Sequence, residues 1–597
     1  MTRRAHAMPH GAELHDNGVR FRLWAPGEDQ VGIEIDGHQP VHMARQPEGW
    51  HELITIGARP GSLYRYVVAD GMRVPDPASR FQPEDVHGPS EVIDPRAYDW
   101  QDAEWRGRPW AQSVIYEIHV GTFTPGGTFL AAIEKLDHLV ALGVTTIEIM
   151  PISDFPGKRN WGYDGVLPYA PDSAYGRPED LKALVDAAHA RGLSVMLDVV
   201  YNHFGPDGNY LPVYAPQFFT DRHKSPWGAG INFDGEHSRP VRDFVIQNAL
   251  YWLQEYHLDG LRLDAVHAIQ DDSPTHVLAE LAETVRGAIA DRPVHLILEN
   301  EENRASLLHR DESGEPRLYT AQWNDDIHHV LHVAATGENV AYYEAYLGQT
   351  ELLGRALAEG FAFQGEMMPY SGKPRGEPSG GLPPTAFVAF AQNHDQIGNR
   401  AFGQRLNQLA SPEAVRAVSA VYLLSPQVPM IFMGEELASR QPFLFFVDFE
   451  GELADKVRDG RREEFAKFPE FSDPEKRDTI PDPVAEETFL ASKLRWDEAD
   501  AATQEWFTRI LAVRREILWP LRGAFGGNAG SYRVVGDSAV EVSWTLSEGG
   551  RIVLQANLSG ASVSGFSTVE GRVFWSEGDA SGDGSFGPWT VRWVSNQ

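Results

Sequence analysis

The chain has 597 residues, no cysteine and a formal net charge of 52 − 85 = −33. A surplus of negative charge this large opposes binding to nucleic acid or to anionic lipid and suits a neutral substrate. The lack of cysteine excludes disulfides and thiolate metal sites and gives no support to an oxidising compartment.

Arg3 and Arg4 are not followed by the apolar run that a twin-arginine signal requires, and no segment approaches the roughly 18 apolar residues of a membrane span. A cytoplasmic location without membrane attachment is therefore expected. The runs VRFRLWAP (19–26), VGIEIDG (31–37), WHELITI (50–56) and SLYRYVVADG (62–71) alternate with period two between turn residues, which indicates a small β-sandwich over 1–97. The Pro- and Asp-rich stretch 76–95 has no period and reads as an ordered connector.

From residue 113 strands and helices alternate. The strand runs are SVIYEIHV (113–120), VTTIEIMP (144–151), LSVMLDVV (193–200), GLRLDAV (260–266), VHLILEN (294–300), YTAQWN (319–324), TAFVAFAQN (385–393) and VPMIFMG (428–434). Amphipathic runs at 129–143, 178–192, 412–425 and 503–521 read as helices among and after them. Eight apolar strands alternating with helices favour a closed (β/α)8 TIM barrel over 98–524, with long loops after strands 2 and 8. After the Gly-rich GAFGGNAG, three further strand runs predict a C-terminal all-β domain over 525–597.

Four stretches end strand runs with acidic or polar residues: DVVYNH (198–203), GLRLDAVH (260–267), LILEN (296–300) and AQNHDQ (391–396). In a barrel of parallel strands the carboxyl ends share one face, so Asp264, Glu299 and Asp395 are expected to meet there. Acetal hydrolysis requires an acid for the leaving oxygen and a carboxylate for the oxocarbenium-like carbon, about 5 to 5.5 Å apart in retaining enzymes. Neighbouring strands lie roughly 4.8 Å apart, which suits Asp264 and Glu299 on strands 4 and 5. Arg262 shares the Asp264 side of its strand and is expected to hold that carboxylate ionised, while burial keeps Glu299 protonated. Any one carboxylate at a strand end is more often a cap or a surface charge; the set is what points to chemistry. The spacing of a zinc site is absent, so the histidines read as sugar hydroxyl donors, and His328 and His329 read equally well as a polar helix start. Trp161, Tyr163 and Trp323 are candidates to stack on sugar rings, although core packing is the commoner fate of a tryptophan. No cofactor and no metal are expected, since Asn202 alone offers too few oxygen ligands for calcium.

At these four motifs the sequence resembles the α-amylase superfamily, glycoside hydrolase family 13, over about residues 100 to 520. The resemblance implies Asp264 as nucleophile, Glu299 as acid and base, and Asp395 as the residue that grips the sugar in the transition state. It also implies substrate contacts for His203, Arg262 and His394, and a structural place for Asp198 and Asn202 at the end of strand 3. One departure is that Leu298, where the family often has Gly, precedes Glu299. The stretches at 76–95, 321–329 and 392–405 are similar to a subfamily that cleaves the α-1,4 bond next to a terminal trehalose in 4-α-maltooligosyl trehalose. That similarity implies Trp323, Asp325 and Asp326 near the site and an α-glucan oligosaccharide as partner. Two other readings remain open: a glycogen branching or debranching enzyme, and a non-catalytic amylase-like binding subunit.

Overall fold

The computed structural model describes residues 5–225, 227–468 and 471–596, so Arg3 and Arg4 lie outside the described residues. Eight parallel strands close a barrel in chain order: β1 (Ile115–Ile118), β2 (Thr146–Ile149), β3 (Ser194–Val199), β4 (Gly260–Leu263), β5 (His295–Leu298), β6 (Ala321–Trp323), β7 (Phe387–Ala389) and β8 (Val428–Phe432). Each expected run contains one of them. Apolar side chains of Ile115, Met196, Ile297, Val388, Val428 and Met430 pack together inside the barrel. Two residues further along β1, β3 and β5, alternation brings Glu117, Asp198 and Glu299 to the same inward face one layer higher. The barrel interior therefore changes from apolar to charged toward the carboxyl ends of its strands.

Helices α1 (Pro178–His189), α2 (Ser238–Glu255), α3 (Val277–Ala288), α4 (Asp325–Thr336), α5 (Pro412–Leu424) and α6 (Ala501–Ile517) belong to the outer layer. Their starts follow from local chemistry. Ser411 accepts from the Ala414 N–H with Pro412 in the first turn, and Asp500 accepts from the Thr503 N–H. The run 129–143 forms two helices, Phe129–Ile133 and Leu136–Leu142, because Glu134 and Lys135 donate three residues back and tighten the turn between them.

The N-terminal residues form two facing antiparallel sheets. One pairs Gly11–His15, Gly18–Trp24, Trp50–Thr55 and Ala44–Arg45; the other pairs Val41–His42, Gly32–Ile35, Leu63–Val68 and Met72–Val74, with Ser90–Glu91 added to Leu63–Val68. The connector 76–95 is stitched to both neighbours. Asp76 accepts from Tyr64 Oη at 2.7 Å, and the Arg80 fork meets Glu255 of α2 at 2.9 and 3.0 Å. At the other end, a five-stranded antiparallel sheet runs in the order Gly530–Gly536, Ala539–Thr545, Arg551–Asn557, Thr590–Asn596 and Arg572–Glu577. Its strand Thr590–Asn596 was not among the expected ones.

The loops after β2 and β8 lean on each other over the barrel mouth. Trp161 Nε1 donates to the Leu444 carbonyl at 2.8 Å, and its ring stacks on Phe443 with centroids 5.3 Å apart. Asp448 accepts from the Lys158 N–H at 2.8 Å and pairs with Arg159. Gly162, at φ 105°, passes so close to Pro151 that a Cβ would lie 2.0 Å from its carbonyl oxygen; only glycine fits where this loop turns toward Tyr163.

Candidate active site

Strands β4 and β5 pair with Leu263 opposite Leu298, so the next residues, Asp264 and Glu299, leave the barrel at one level. On the other side Asp198 of β3 faces Arg262 of β4. The Arg262 side chain is fully buried and binds three carboxylates: Nη1 lies 2.6 Å from Asp198 Oδ2 and 2.9 Å from Asp264 Oδ1, and Nη2 lies 2.9 Å from Glu299 Oε2. Its guanidinium sits 4.1 Å from the centroid of the Trp323 ring, whose face supports the cation from below. Ala265, directly after Asp264, holds the left-handed conformation at φ 39°, uncommon for a residue with a Cβ, and from it the backbone N–H donates to Glu299 Oε2 at 2.7 Å.

Asp264 and Glu299 are close enough to act on each other's ionisation. Burial and the neighbouring Glu299 push the Asp264 carboxyl well up against the pull of Arg262. For Glu299, burial acts upward too, but Arg262, the Ala265 amide and His267 outweigh it and hold the carboxyl below its usual value. This differs from the expected split, in which Arg262 served Asp264 alone. The guanidinium spans both acids, and the Ala265 amide adds to its hold on Glu299. Asp395 is the most open of the three acids, with its side chain 41% exposed, against 11% for Asp264 and 17% for Glu299. Asn393 caps its turn by accepting from the Asp395 and Gln396 N–H groups, and Asn399 Nδ2 donates to Asp395 Oδ1 at 3.1 Å. Asp325 lies half-buried beside Glu299 and Asp395; burial and these charges push it up to about 8.

The remaining expected residues divide between the cleft and its foundations. Tyr163 is half-buried, and its hydroxyl lies 2.7 Å from Asp198 Oδ2 and 2.9 Å from His394 Nε2. His203 Nε2 donates to the Tyr163 carbonyl at 2.8 Å, and its ring stacks on the half-exposed Trp227 with centroids 4.2 Å apart. Burial lowers His203 to about 4, so the ring is neutral and its one N–H is already used; it is not a free donor for sugar hydroxyls. Trp323 is buried beneath Arg262 and Trp161 is buried between loops, so neither offers a face to a sugar ring. Asp326 is fully buried and accepts from Asn303 Nδ2, Tyr346 Oη, Arg375 Nη1 and the Ala362 and Phe363 N–H groups. Five donors occupy its two oxygens, so Asp326, expected near the site, is tied to the protein around it. His328 is buried on α4 between the Ala391 carbonyl at 2.6 Å and Tyr343 Oη at 2.9 Å, a packing role.

Two charged residues of this layer escaped the sequence reading. Glu117 of β1 accepts from His394 twice, from Nδ1 at 2.5 Å and from the backbone N–H at 3.1 Å. Glu148 of β2, opposite Glu117, is buried, and burial next to Glu117 and Asp198 pushes its carboxyl well up. The visible signal was a single Glu in the middle of each otherwise apolar run, SVIYEIHV and VTTIEIMP. As to metals, His223, Asp234 and Asp272 place ligand atoms within 4.8 Å of one another. Arg222 already supplies positive charge there, 2.6 Å from Asp272 and 3.5 Å from Asp234.

Known proteins resemble this chain along most of its length. Residues 92–216 match the α-amylase catalytic domain family, and residues 527–593 match a domain of unknown function, DUF3459. The malto-oligosyltrehalose trehalohydrolase of Deinococcus radiodurans is 45% identical over 511 residues, covering 84% of this chain and 81% of that protein. That of Saccharolobus solfataricus is 42% identical, covering 85% and 87%. The crystal structure of a Salmonella typhimurium protein described as an alpha amylase superposes with a TM-score of 0.95 at 47% identity, covering 99% of this chain and 100% of that one. A 1,4-alpha-glucan branching enzyme of Rubrobacter xylanophilus matches only 44% of this chain and 40% of its own length, at 36% identity. The extent and level of the first two matches decide the matter: this chain belongs to the malto-oligosyltrehalose trehalohydrolase family of the α-amylase superfamily.

Proposed function

We propose that Asp264 is the nucleophile, Glu299 the acid and base, and Asp395 the transition-state clamp in a retaining hydrolysis of the α-1,4 bond next to the terminal trehalose of 4-α-maltooligosyl trehalose. The observation that carries the mechanism is the placement of Asp264 and Glu299 at one level on adjacent strands, each 2.9 Å from one guanidinium. A retaining pair stands about 5 to 5.5 Å apart, the spacing adjacent strands give their side chains, whereas an inverting pair stands about 6.5 to 9.5 Å apart to admit a water. In the reacting complex Glu299 carries the proton, beside the glycosidic oxygen, and Asp264 is a carboxylate neutralised by Arg262. Asp264 attacks the anomeric carbon as its bond to oxygen breaks, and Glu299 gives its proton to the departing trehalose. Glu299 next takes a proton from water, which attacks the glycosyl ester and frees Asp264. Asp395, the open acid, and Asp325 beside it are the side chains best placed to bind sugar hydroxyls.

The substrate follows from the family, whose named members are trehalohydrolases matched along most of their length. A branching enzyme shares less than half of the chain, and a purely binding subunit has no use for three acids built around a buried arginine. Among the described residues no helix is long and apolar enough to cross a membrane. Chromatography of the products from maltotriosyl trehalose tests the reading. Trehalose and maltotriose are expected; new branch points without reducing sugar indicate a transferase, and no turnover a binding subunit.

A further inference from the structure

Tyr163 Oη has one proton and two neighbours, Asp198 Oδ2 at 2.7 Å and His394 Nε2 at 2.9 Å. Asp198, bound by Arg262 at 2.6 Å, accepts that proton. The contact to His394 is then a hydrogen bond only if Nε2 itself carries a hydrogen and donates it to the phenol oxygen. On the other side of the ring, Nδ1 stands 2.5 Å from Glu117 Oε1, and that carboxylate can only accept. Both ring nitrogens must therefore be donors, and His394 is an imidazolium. From this count of donors and acceptors we infer that Glu117 is a positioning residue: it holds His394 charged, and so directs the Tyr163 hydroxyl onto Asp198 and steadies the Arg262 fork that bears Asp264 and Glu299.

The surroundings agree. The groups that face His394 are Glu117 from β1, Glu148 from β2, Asp198 from β3, Arg262 from β4, Asp395 next in the chain and His119 after β1. Burial disfavours the charged ring, but Glu117 and Asp395 more than offset it and raise His394 to about 9. Were Glu117 neutral, Nε2 would lose its hydrogen and compete with Asp198 for the single Tyr163 proton. The Trp161, Tyr163 and Trp323 rings pack around the imidazole, and Asp395 Oδ1 lies 3.8 Å from its Nε2.

The inference rests on the proposed roles of Asp264 and Glu299, and its test separates the two. In protein labelled with 15N-histidine, both His394 nitrogens should carry hydrogens at pH 8, with assignment by loss of the signal in His394→Asn. A neutral tautomer at that pH overturns the inference whatever the catalytic roles prove to be. An opposite charge shifts a pKa by about 1 to 3 units, so loss of about 2 units in Glu117→Gln leaves roughly a tenth of His394 protonated at pH 8. The variant should thus lose kcat by about tenfold at pH 8 and by less than about threefold at pH 5.5, with Glu117→Asp restoring most of the alkaline activity. A Glu117→Gln profile parallel to that of the wild type across this range would reduce Glu117 to a packing residue.

Discussion

Replacing Asp326 by alanine separates support of the cleft from contact with the sugar. Its carboxylate accepts from five donors, at 3.0 Å from Asn303, 2.6 Å from Tyr346, 2.9 Å from Arg375, 2.7 Å from Ala362 and 3.3 Å from Phe363. Arg375 is itself buried, with its side chain 6% exposed, so alanine strands a cation and four neutral donors out of reach of water. Breaking a buried ion pair from one side costs about 3 to 5 kcal/mol. For a chain of 597 residues that unfolds as one unit, the unfolding entropy is about 1.25 kcal/mol/K, so this loss lowers Tm by about 2 to 4 °C. Thermal melting should show that fall, and the ratio of kcat/KM on maltotriosyl trehalose to that on maltopentaose should stay within about twofold of the wild type, since no contact with either sugar is removed. An unchanged Tm together with a collapsed ratio would refute the burial argument and return Asp326 to the substrate pocket.

The barrel was legible because its signal is repeated: eight apolar runs of strand length separated by helical periods leave few architectures, and parallel strands carry their acids to one rim. The proposed catalytic acids stood out for the same reason: Asp264 and Glu299 sit one residue beyond a strand, and Asp395 lies in the first turn of the short helix after one. Position along the chain cannot say which way a neighbouring side chain turns. Asp325 and Asp326 are consecutive, yet the start of α4 points one into the cleft and the other into a loop of donors contributed from residues 303, 346, 362, 363 and 375. Those partners are scattered through the sequence, so the saturation of Asp326 had no local trace. Trp323 was misread likewise, because its stacking partner turned out to be a guanidinium two strands away in the barrel order. The opposite failure was Glu117 and Glu148, whose charge inside apolar runs was visible but was absorbed into the strand pattern. A carboxylate facing inward on a barrel strand must be paired or protonated, and here one is paired and the other is pushed toward the neutral form.

Asp264→Asn and Glu299→Gln should each lower kcat by several orders of magnitude, since each removes a covalent or proton-transfer step and keeps shape; more than a tenth of wild-type turnover in either would exclude that residue. Early NMR spectra of the maltotriose released should show the α-anomer, and first appearance of the β-anomer would rule out a glycosyl intermediate. Asp325→Asn, at a half-buried carboxyl already raised to about 8, should leave Tm nearly unchanged and lower kcat/KM; a large loss of Tm would place it with Asp326. Far below the cleft, His189 bridges Asp102 at 3.0 Å and Asp259 at 3.0 Å, and both partners are buried. Burial alone would lower His189, but Asp259 and Asp102 raise it above its unfolded value, so its stabilisation is fully present below about pH 6.5 and fades as pH rises through the folded value. Burial would raise Asp102 and Asp259, yet their histidine partners hold both below the usual range, so their share is present above about pH 4 and fades toward acid. The Tm difference between wild type and His189→Gln should therefore be largest between about pH 4 and 6.5 and shrink on either side; a difference that grows steadily from pH 6 to 9 would show that His189 is buried neutral, with the proton it shares resting on a carboxyl instead.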